Sequence, residues 1–230
     1  HLIAEIKRSS PSAGLLREDF DPVEIARVYH QAGASALSVL TDQEYFGGRL
    51  EFIGQIKRAV PLPVLRKDFI IDEYQVYESR EAGADAILLI AEILTPQQLI
   101  DLLILANELK LTSLIEVHQA DTLMRIRSVV GFPHLRYSLL GINNRDLRTQ
   151  QVDLGTTVRL ADMVDEGTIL ISESGVSRRE DVVRLKQAGI RGLLVGESLM
   201  RAGDIAAKIR ELFEPNEIDA QRSKGSGGDG

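Results

Sequence analysis

The sequence has no cysteine. That excludes disulfides, thiolate metal sites and a cysteine nucleophile, and it fits a reducing, cytoplasmic setting. No run approaches the roughly 18 consecutive apolar residues of a membrane span. The opening, His1-Leu2-Ile3-Ala4-Glu5-Ile6, lacks the basic-then-apolar order of a secretion signal. It enters a strand-like run at once, so the chain is expected to be cut from something longer. Positive charge is in deficit: 27 Lys and Arg stand against 34 Asp and Glu, for a net −7. Such a balance argues against a general nucleic-acid or membrane-surface partner. It leaves room for a small anionic ligand, because a local cluster of donors can oppose the global sign. No His spacing suits metal ligation, so no metal is expected. His30 and His134 read as surface or loop residues.

What is present is a large apolar fraction, 44% of 230 residues, enough for a substantial core. Short apolar runs alternate with helical stretches. Strands are expected at Leu2–Ile6, Ala36–Leu40, Leu62–Arg66, Ala86–Ile90, Thr112–Glu116, Leu139–Ile142, Thr168–Ile171 and Gly192–Val195. Helices are expected from Asp21-Pro22 to Gly33, over Leu50–Ala59 and Asp72–Ala82, and from Thr95-Pro96 to Leu109. The rest are expected over Gln119–Val129, Leu154–Met163, Arg178–Ala188 and Leu199–Phe213. An internal echo supports the repeat: Gln31-Ala32-Gly33-Ala34-Ser35-Ala36 returns as Glu81-Ala82-Gly83-Ala84-Asp85-Ala86, and more faintly as Gln187-Ala188-Gly189-Ile190-Arg191-Gly192. Each glycine is placed to end a helix with a left-handed turn before the next strand.

Strands apolar on both faces suit a parallel sheet. The expected fold is α/β, a (β/α)8 TIM barrel forming one catalytic domain over residues 1–214. Residues 215–230 read as a flexible Gly/Ser-rich tail. A doubly wound open sheet is the alternative, although no Gly-x-Gly-x-x-Gly follows the first strand.

In such barrels the active site lies at the C-terminal ends of the strands. Here the first ends Glu5-Ile6-Lys7, the third Arg66-Lys67-Asp68 and the fifth Glu116-Val117-His118. The sixth ends Asn143-Asn144-Arg145-Asp146, the seventh Ser172-Glu173-Ser174-Gly175 and the eighth Gly196-Glu197-Ser198. Glu5 and Lys7 are two apart, so they share the face toward the barrel mouth while Ile6 faces the helices. A lysine at the end of a buried strand is costly to desolvate without partners, which makes Lys67 stand out. Lysines and carboxylates gathered there can hold one another ionised, the one able to donate a proton and the other to accept. The bland alternatives are a closed ion-pair network and, for Lys67 alone, a solvated strand end. Ser174-Gly175 and Gly196-Glu197-Ser198 present small residues and N–H groups where such barrels bind phosphate. Helix capping by Ser174 and Ser198 is the other reading. His118 either stands near Glu116 or simply begins the next helix. Phe46 and Phe69 sit in mouth loops, where they either touch an aromatic ligand or pack beneath the loops.

Together these stretches resemble indole-3-glycerol-phosphate synthases. The resemblance rests on Glu5-Ile6-Lys7-Arg8-Ser9-Ser10-Pro11-Ser12, Leu40-Thr41-Asp42 with Phe46-Gly47-Gly48, Leu65-Arg66-Lys67-Asp68-Phe69 and Ile115-Glu116-Val117-His118. It continues through Gly141-Ile142-Asn143-Asn144-Arg145-Asp146-Leu147, Ser172-Glu173-Ser174-Gly175 and Gly196-Glu197-Ser198-Leu199-Met200-Arg201, in order from His1 to about Phe213. It implies a carboxy-lyase of tryptophan biosynthesis. The enzyme would close a ring in 1-(2-carboxyphenylamino)-1-deoxyribulose 5-phosphate with loss of carbon dioxide and water.

Lys67 then matches the general acid. Lys7 matches the lysine that holds the substrate carboxylate and is a candidate for the dehydration step. Glu116 and Glu5 match the catalytic carboxylates, their acid and base roles left open. Asn143 and Glu173 match polar supports. Arg145, Ser174, Gly175, Gly196 and the backbone of Glu197 match the phosphate end, with help from Ser10. The implied partner is a phosphorylated small molecule, with no cofactor, metal, nucleic acid or membrane, and the chain is expected to be a monomer. Family members carry an N-terminal helical extension over the mouth. The sequence begins without it, so residual activity with a raised KM is expected. Two other readings stay open: a Schiff-base aldolase-type barrel using Lys67 as nucleophile, and an inactive or weakened barrel that only binds a phosphate ligand.

Overall fold

The computed structural model describes residues 1–133, 137–146 and 148–214. The strands are β1 (Leu2–Ile6), β2 (Ser9–Ser10), β3 (Gly14–Leu15), β4 (Ala36–Leu40), β5 (Val64–Lys67), β6 (Ala86–Ile90), β7 (Thr112–Val117), β8 (Ser138–Asn143), β9 (Leu170–Glu173) and β10 (Gly192–Val195). The helices are α1 (Pro22–Gln31), α2 (Glu51–Ala59), α3 (Glu73–Glu81), α4 (Pro96–Glu108), α5 (Ala120–Ile126), α6 (Gly155–Ala161), α7 (Arg179–Gln187), α8 (Glu197–Met200) and α9 (Ile205–Phe213). A closed barrel runs in the order β1-β10-β9-β8-β7-β6-β5-β4, every neighbouring pair parallel. This is the expected (β/α)8 architecture and not the open sheet. No described helix is long and apolar enough to cross a membrane.

The helix starts follow from short polar side chains. The Asp21 carboxylate accepts from the N–H groups of Val23 and Glu24, with Pro22 in the first turn. Asp72 and Thr95 close capping boxes with Gln75 and Gln98. The repeated glycines end α1, α3 and α7 at φ +87°, +92° and +81° (Gly33, Gly83, Gly189), a left-handed turn that a Cβ would strain.

Several boundaries differ from the sequence expectation, each for a local reason. The loop after β1 contains a small antiparallel hairpin, β2 with β3. The third barrel strand begins at Val64, because Pro61 and Pro63 flank Leu62 and proline has no N–H for a ladder. It continues to Lys67, which pairs with Leu40. The seventh begins at Leu170, since Gly167 at φ +91° and Thr168 form a turn. The expected last helix is two, α8 and α9: Asp204 restarts the helix by accepting from Ala207 N. The fifth helix ends at Ile126 and tightens into a 3-10 turn over Arg127–Val129. The expected tail over 215–230 and His134 lie outside the described residues.

Alternation along the strands divides the core in two. Outward residues such as Ile6, Leu37, Leu89 and Ile115 pack under the helices, together with Ile53 and Leu103 of α2 and α4. Inward residues Leu65, Leu88, Ile90, Leu114, Ile171 and Leu194 form a separate plug inside the barrel. Glu5, Lys67, Glu116, Asn143 and Glu173 take the inward positions nearer the C-terminal strand ends, so a charged layer sits beside an apolar one.

Asn144, just past β8, ties three elements together. Its amide donates to Ser172 Oγ (3.0 Å), the Glu173 carbonyl (2.9 Å) and the Ser174 carbonyl (3.0 Å). Its oxygen accepts from Thr157 N (3.0 Å) and Thr157 Oγ1 (2.8 Å). It is buried. Removing it leaves several buried groups unpaired, at roughly 2–4 kcal/mol. Asn144→Ala is therefore expected to lower Tm by about 5–15 °C in a thermal melt. A variant melting with the parent would mean that the network does not hold the β8–β9 rim.

Candidate active site

A cavity of about 730 Å³ opens at the C-terminal ends of the strands. Every site residue expected from the sequence lines it: Glu5, Lys7, Ser10, Lys67, Glu116, Asn143, Arg145, Glu173, Ser174, Gly175, Gly196 and Glu197. Lys67 stands at the centre of the charged layer. Its Nζ lies 3.2 Å from Glu116 Oε2 and 3.5 Å from Glu173 Oε2. Lys7 Nζ lies 2.5 Å from Glu5 Oε1. Sequence neighbours of Lys67 are used differently: Arg66 points outward and is buried between Asp68, Glu78 and Ser79, fastening the end of β5 to α3.

Two glycines make this crowding possible. A Cβ at Gly141 would collide with Glu173 Oε1, and one at Gly196 with Glu5 Oε1. Any larger residue at either position would displace a carboxylate from the mouth.

The charges settle as a set. Burial opposes charge on Lys67, but Glu116, Glu173 and Glu5 more than offset it and raise its pKa far above the ordinary lysine value. Burial also opposes the Glu116 charge, and Lys67 with His118 overcomes it, holding that carboxyl well below the usual range. Glu5 is likewise lowered: burial works against its charge, and Lys7, then Lys67, outweigh it. Glu173 goes the other way. Burial and the neighbouring Glu116 charge push it well above the carboxylate range despite Lys67. Both its oxygens are buried, and neither accepts a hydrogen bond from a described donor. Two carboxyls that share one lysine do not both ionise readily, so the proton stays on the pair, mainly on Glu173. The floor thus offers a charged ammonium, an ionised carboxylate and a neutral acid within contact of one another.

The other end of the cavity holds the residues expected from the sequence to bind phosphate. Ser174 and Gly175 have φ +64° and +92°, a turn that brings backbone to the cavity wall. Neither Ser174 nor Ser198 caps a helix by its side chain: Arg178 is the cap of α7 and Gly196 that of α8. Ser198 Oγ instead donates to the Val176 carbonyl at 2.8 Å, tying the two loops together. The Glu197 carboxylate lies 3.3 Å from Arg145 Nη2 and 3.2 Å from Arg201 Nε. Opposite this corner, Phe46 and Phe69 line the cavity with their ring centroids 6.3 Å apart, beside Leu88 and Ile90. Among the described residues, no group of three or more His, Asp or Glu is arranged to hold a metal ion.

His118 does not begin α5. It is buried, with Nε2 2.9 Å from Glu116 Oε1 and Nδ1 2.8 Å from the Arg145 carbonyl. The sequence signal for this was the two-residue spacing from Glu116, the same spacing that pairs Glu5 with Lys7.

A sequence model described as indole-3-glycerol phosphate synthase matches residues 1–212. The chain is 50% identical over 212 residues to the indole-3-glycerol phosphate synthase of Rhodopirellula baltica, covering 92% of this chain and 80% of that protein. It is 46% identical over 221 residues to the protein of that name from Halalkalibacterium halodurans, covering 95% and 84%. Among solved structures, 3-hexulose-6-phosphate synthase from Salmonella typhimurium superposes with a TM-score of 0.71 at 16% identity, covering 96% and 98% of the two chains. At that identity the likeness concerns the fold alone.

A test of the charge arrangement follows from Glu173. Its folded pKa is raised, so its contribution to stability is fully present below the unfolded value near 4.3 and lost as pH rises through the folded one. At neutral pH the fold holds a proton that the unfolded chain releases. Glu173→Gln removes that burden. The variant is expected to melt a few degrees above the parent at pH 8, with the gap closing toward pH 5. A variant less stable than the parent at pH 8 would mean that Glu173 is held as a carboxylate.

Proposed function

The chain belongs to the indole-3-glycerol phosphate synthase family, and we propose that the lysine–carboxylate layer at its barrel mouth carries that reaction. The substrate is 1-(2-carboxyphenylamino)-1-deoxyribulose 5-phosphate. The aryl carbon bearing the carboxylate attacks the ketose carbonyl, and the oxygen takes up a proton. Carbon dioxide leaves with the ring's aromaticity restored. The new hydroxyl then departs as water, with loss of a proton from carbon, to give indole-3-glycerol phosphate.

Lys67 is the proton donor at the carbonyl. The observation that carries this is its place at the floor of the cavity, charged and held between Glu116 and Glu173. An ammonium fixed there stabilises the oxygen as negative charge develops on it, before and during proton transfer. Lys7, paired with Glu5, holds the substrate carboxylate and is placed to protonate the departing hydroxyl. Glu116, ionised, accepts a proton in the dehydration; Glu5 orients Lys7. Asn143 and the neutral Glu173 are polar supports. The phosphate lies against the backbone of Ser174, Gly175, Gly196 and Glu197, with Arg145 and Ser10 beside it. The aryl ring lies toward Phe46, Phe69, Leu88 and Ile90. A soluble phosphorylated substrate fits a cytoplasmic enzyme, and residues 1–214 form its catalytic domain.

A Schiff-base role for Lys67 is disfavoured by the same contacts, because an amine held protonated by carboxylates is no nucleophile. Borohydride with substrate is expected to trap no adduct.

The direct test is the fluorescence of the indole product. The parent is expected to turn the substrate over, and Lys67→Ala to lose at least about a thousandfold in kcat while keeping the parent's circular dichroism. Glu116→Gln is expected to lower kcat more than it raises KM, since its proton moves only in the transition state. A folded Lys67→Ala variant with normal turnover would overturn the assignment.

A further inference from the structure

We propose that His118 is a positioning residue for the reaction, a doubly protonated imidazole that clamps Glu116 from the side opposite Lys67. This rests on the role given to Glu116 above and adds to it a residue and a protonation state.

The argument is one of donors and acceptors. Nδ1 lies 2.8 Å from the Arg145 carbonyl oxygen. A carbonyl only accepts, so Nδ1 carries a hydrogen. In a neutral ring, Nε2 would then present a bare lone pair to Glu116 Oε1 at 2.9 Å. Two acceptors at that distance repel. Either Nε2 or Glu116 must hold a proton. Lys67 donates to the other oxygen, Oε2, at 3.2 Å, which favours the ionised carboxylate. The proton therefore sits on Nε2, and the ring is an imidazolium. The groups facing it agree. Glu116 faces it from β7 and the Arg145 carbonyl from the segment after β8. Glu92, after β6, accepts from the backbone N–H of His118 at 2.8 Å. Burial opposes the ring's charge, but Glu116, the carbonyl and Glu92 outweigh it and raise the pKa.

Each Glu116 oxygen thus has its own cation, and the carboxylate cannot rotate. The far side of the ring is fixed by the main chain of Arg145, whose side chain lines the anion corner. His118 therefore mechanically joins the proton-handling floor to the wall at the phosphate end.

Deprotonation of the ring would remove the clamp. Stability that depends on it is fully present below the unfolded value near 6.5 and lost as pH rises through the raised folded one, and activity that depends on it falls through that folded value. Loss of the ring proton would then put an alkaline limb on kcat, one that Lys67, which titrates far higher, does not supply.

The experiment has two arms. In the first, kcat and KM are measured from pH 6 to 10 for the parent, H118Q and H118A. Glutamine offers Glu116 an N–H but no titrating proton. H118Q is expected to lose about tenfold in kcat with KM within about twofold, and to lose the alkaline limb. H118A is expected to lose about a hundredfold. Should H118A fail to fold, H118Q still decides. An H118Q profile with the parent's alkaline limb and kcat would overturn the proposal. In the second arm, ring-nitrogen NMR of 15N-histidine-labelled protein follows His118 without substrate, its signal assigned by its absence in H118Q. The ring is expected to stay doubly protonated beyond the ordinary pKa near 6.5, and E116Q to lower its pKa. Titration at the ordinary value in the parent would overturn the proposal. If the parent turns over no substrate, or E116Q keeps full kcat, the function assigned to Glu116 fails, and the NMR arm still reports separately on the clamp.

Discussion

The constraint on which this molecule depends is the buried ammonium of Lys67. A lone charge above an apolar plug would cost several kcal/mol. It is tolerated because carboxyl groups arrive from other strands, the ionised Glu116 on β7 and the protonated Glu173 on β9, within 3.2 and 3.5 Å. A closed parallel barrel is a fold that can do this. Its strands converge on one axis, and alternation sends every second side chain toward it. The rest of the mouth serves that convergence. Gly141 and Gly196 give up their side chains so that Glu173 and Glu5 can approach. Arg66 turns its own charge outward into Asp68 and Glu78, so that β5 is anchored where Lys67 leaves it. Asn144 holds the rim from which Glu173 projects.

Such a layer is poor as a stabilising device. Well-packed apolar residues of similar volume would do as well or better, and Glu173 is kept in a state that the unfolded chain would not choose at neutral pH. What the arrangement supplies is fixed polarity. Donors and acceptors stand in place before a substrate arrives, and no solvent need reorganise when charge moves. The same neighbours assign the roles. In the proposed reaction Lys67 is the donor because three carboxyls surround it, and Glu116 the acceptor because Lys67 and His118 hold it ionised.

Much of this was legible in the sequence wherever the relevant spacing was local. Glu5 and Lys7 share a strand face by period alone, and their ion pair follows. The Gln-Ala-Gly and Glu-Ala-Gly echoes mark helix ends because only glycine takes the left-handed turn without strain. The partners of Lys67 were not legible as partners, since strand ends far apart in the chain meet only when the barrel closes. Gly141 was unreadable for the same reason: its meaning is the Glu173 oxygen beside it. Leu62 looked like strand because it is apolar, but two prolines deny it a ladder. The last helix looked continuous because its apolar pattern is, whereas Asp204 caps a fresh start inside it. His118 is ambiguous in the sequence because the strand is expected to stop at Glu116. The strand runs on to Val117, so the alternation that turns Glu116 inward still governs the residue two further on.

The likeness to 3-hexulose-6-phosphate synthase shows what the fold alone contributes. At 16% identity the two chains keep the barrel, with a TM-score of 0.71. A barrel of this kind fixes where inward side chains meet but leaves open which ones they are. In this chain the cavity has two chemically unlike ends. Phe46, Phe69, Leu88 and Ile90 make one apolar, while Arg145 and the small residues after β9 and β10 make the other suited to an anion. The lysines and carboxylates lie on the floor between them. A molecule with an aromatic ring at one end and a phosphate at the other can lie in only one direction across such a floor. In the proposed reaction its middle, where bonds form and break, is then delivered to Lys67 and Glu116. Orientation is thus decided at the rim and chemistry on the floor. The two are joined by backbone: the chain that carries Arg145 to the anion corner is the chain whose carbonyl holds His118 against Glu116.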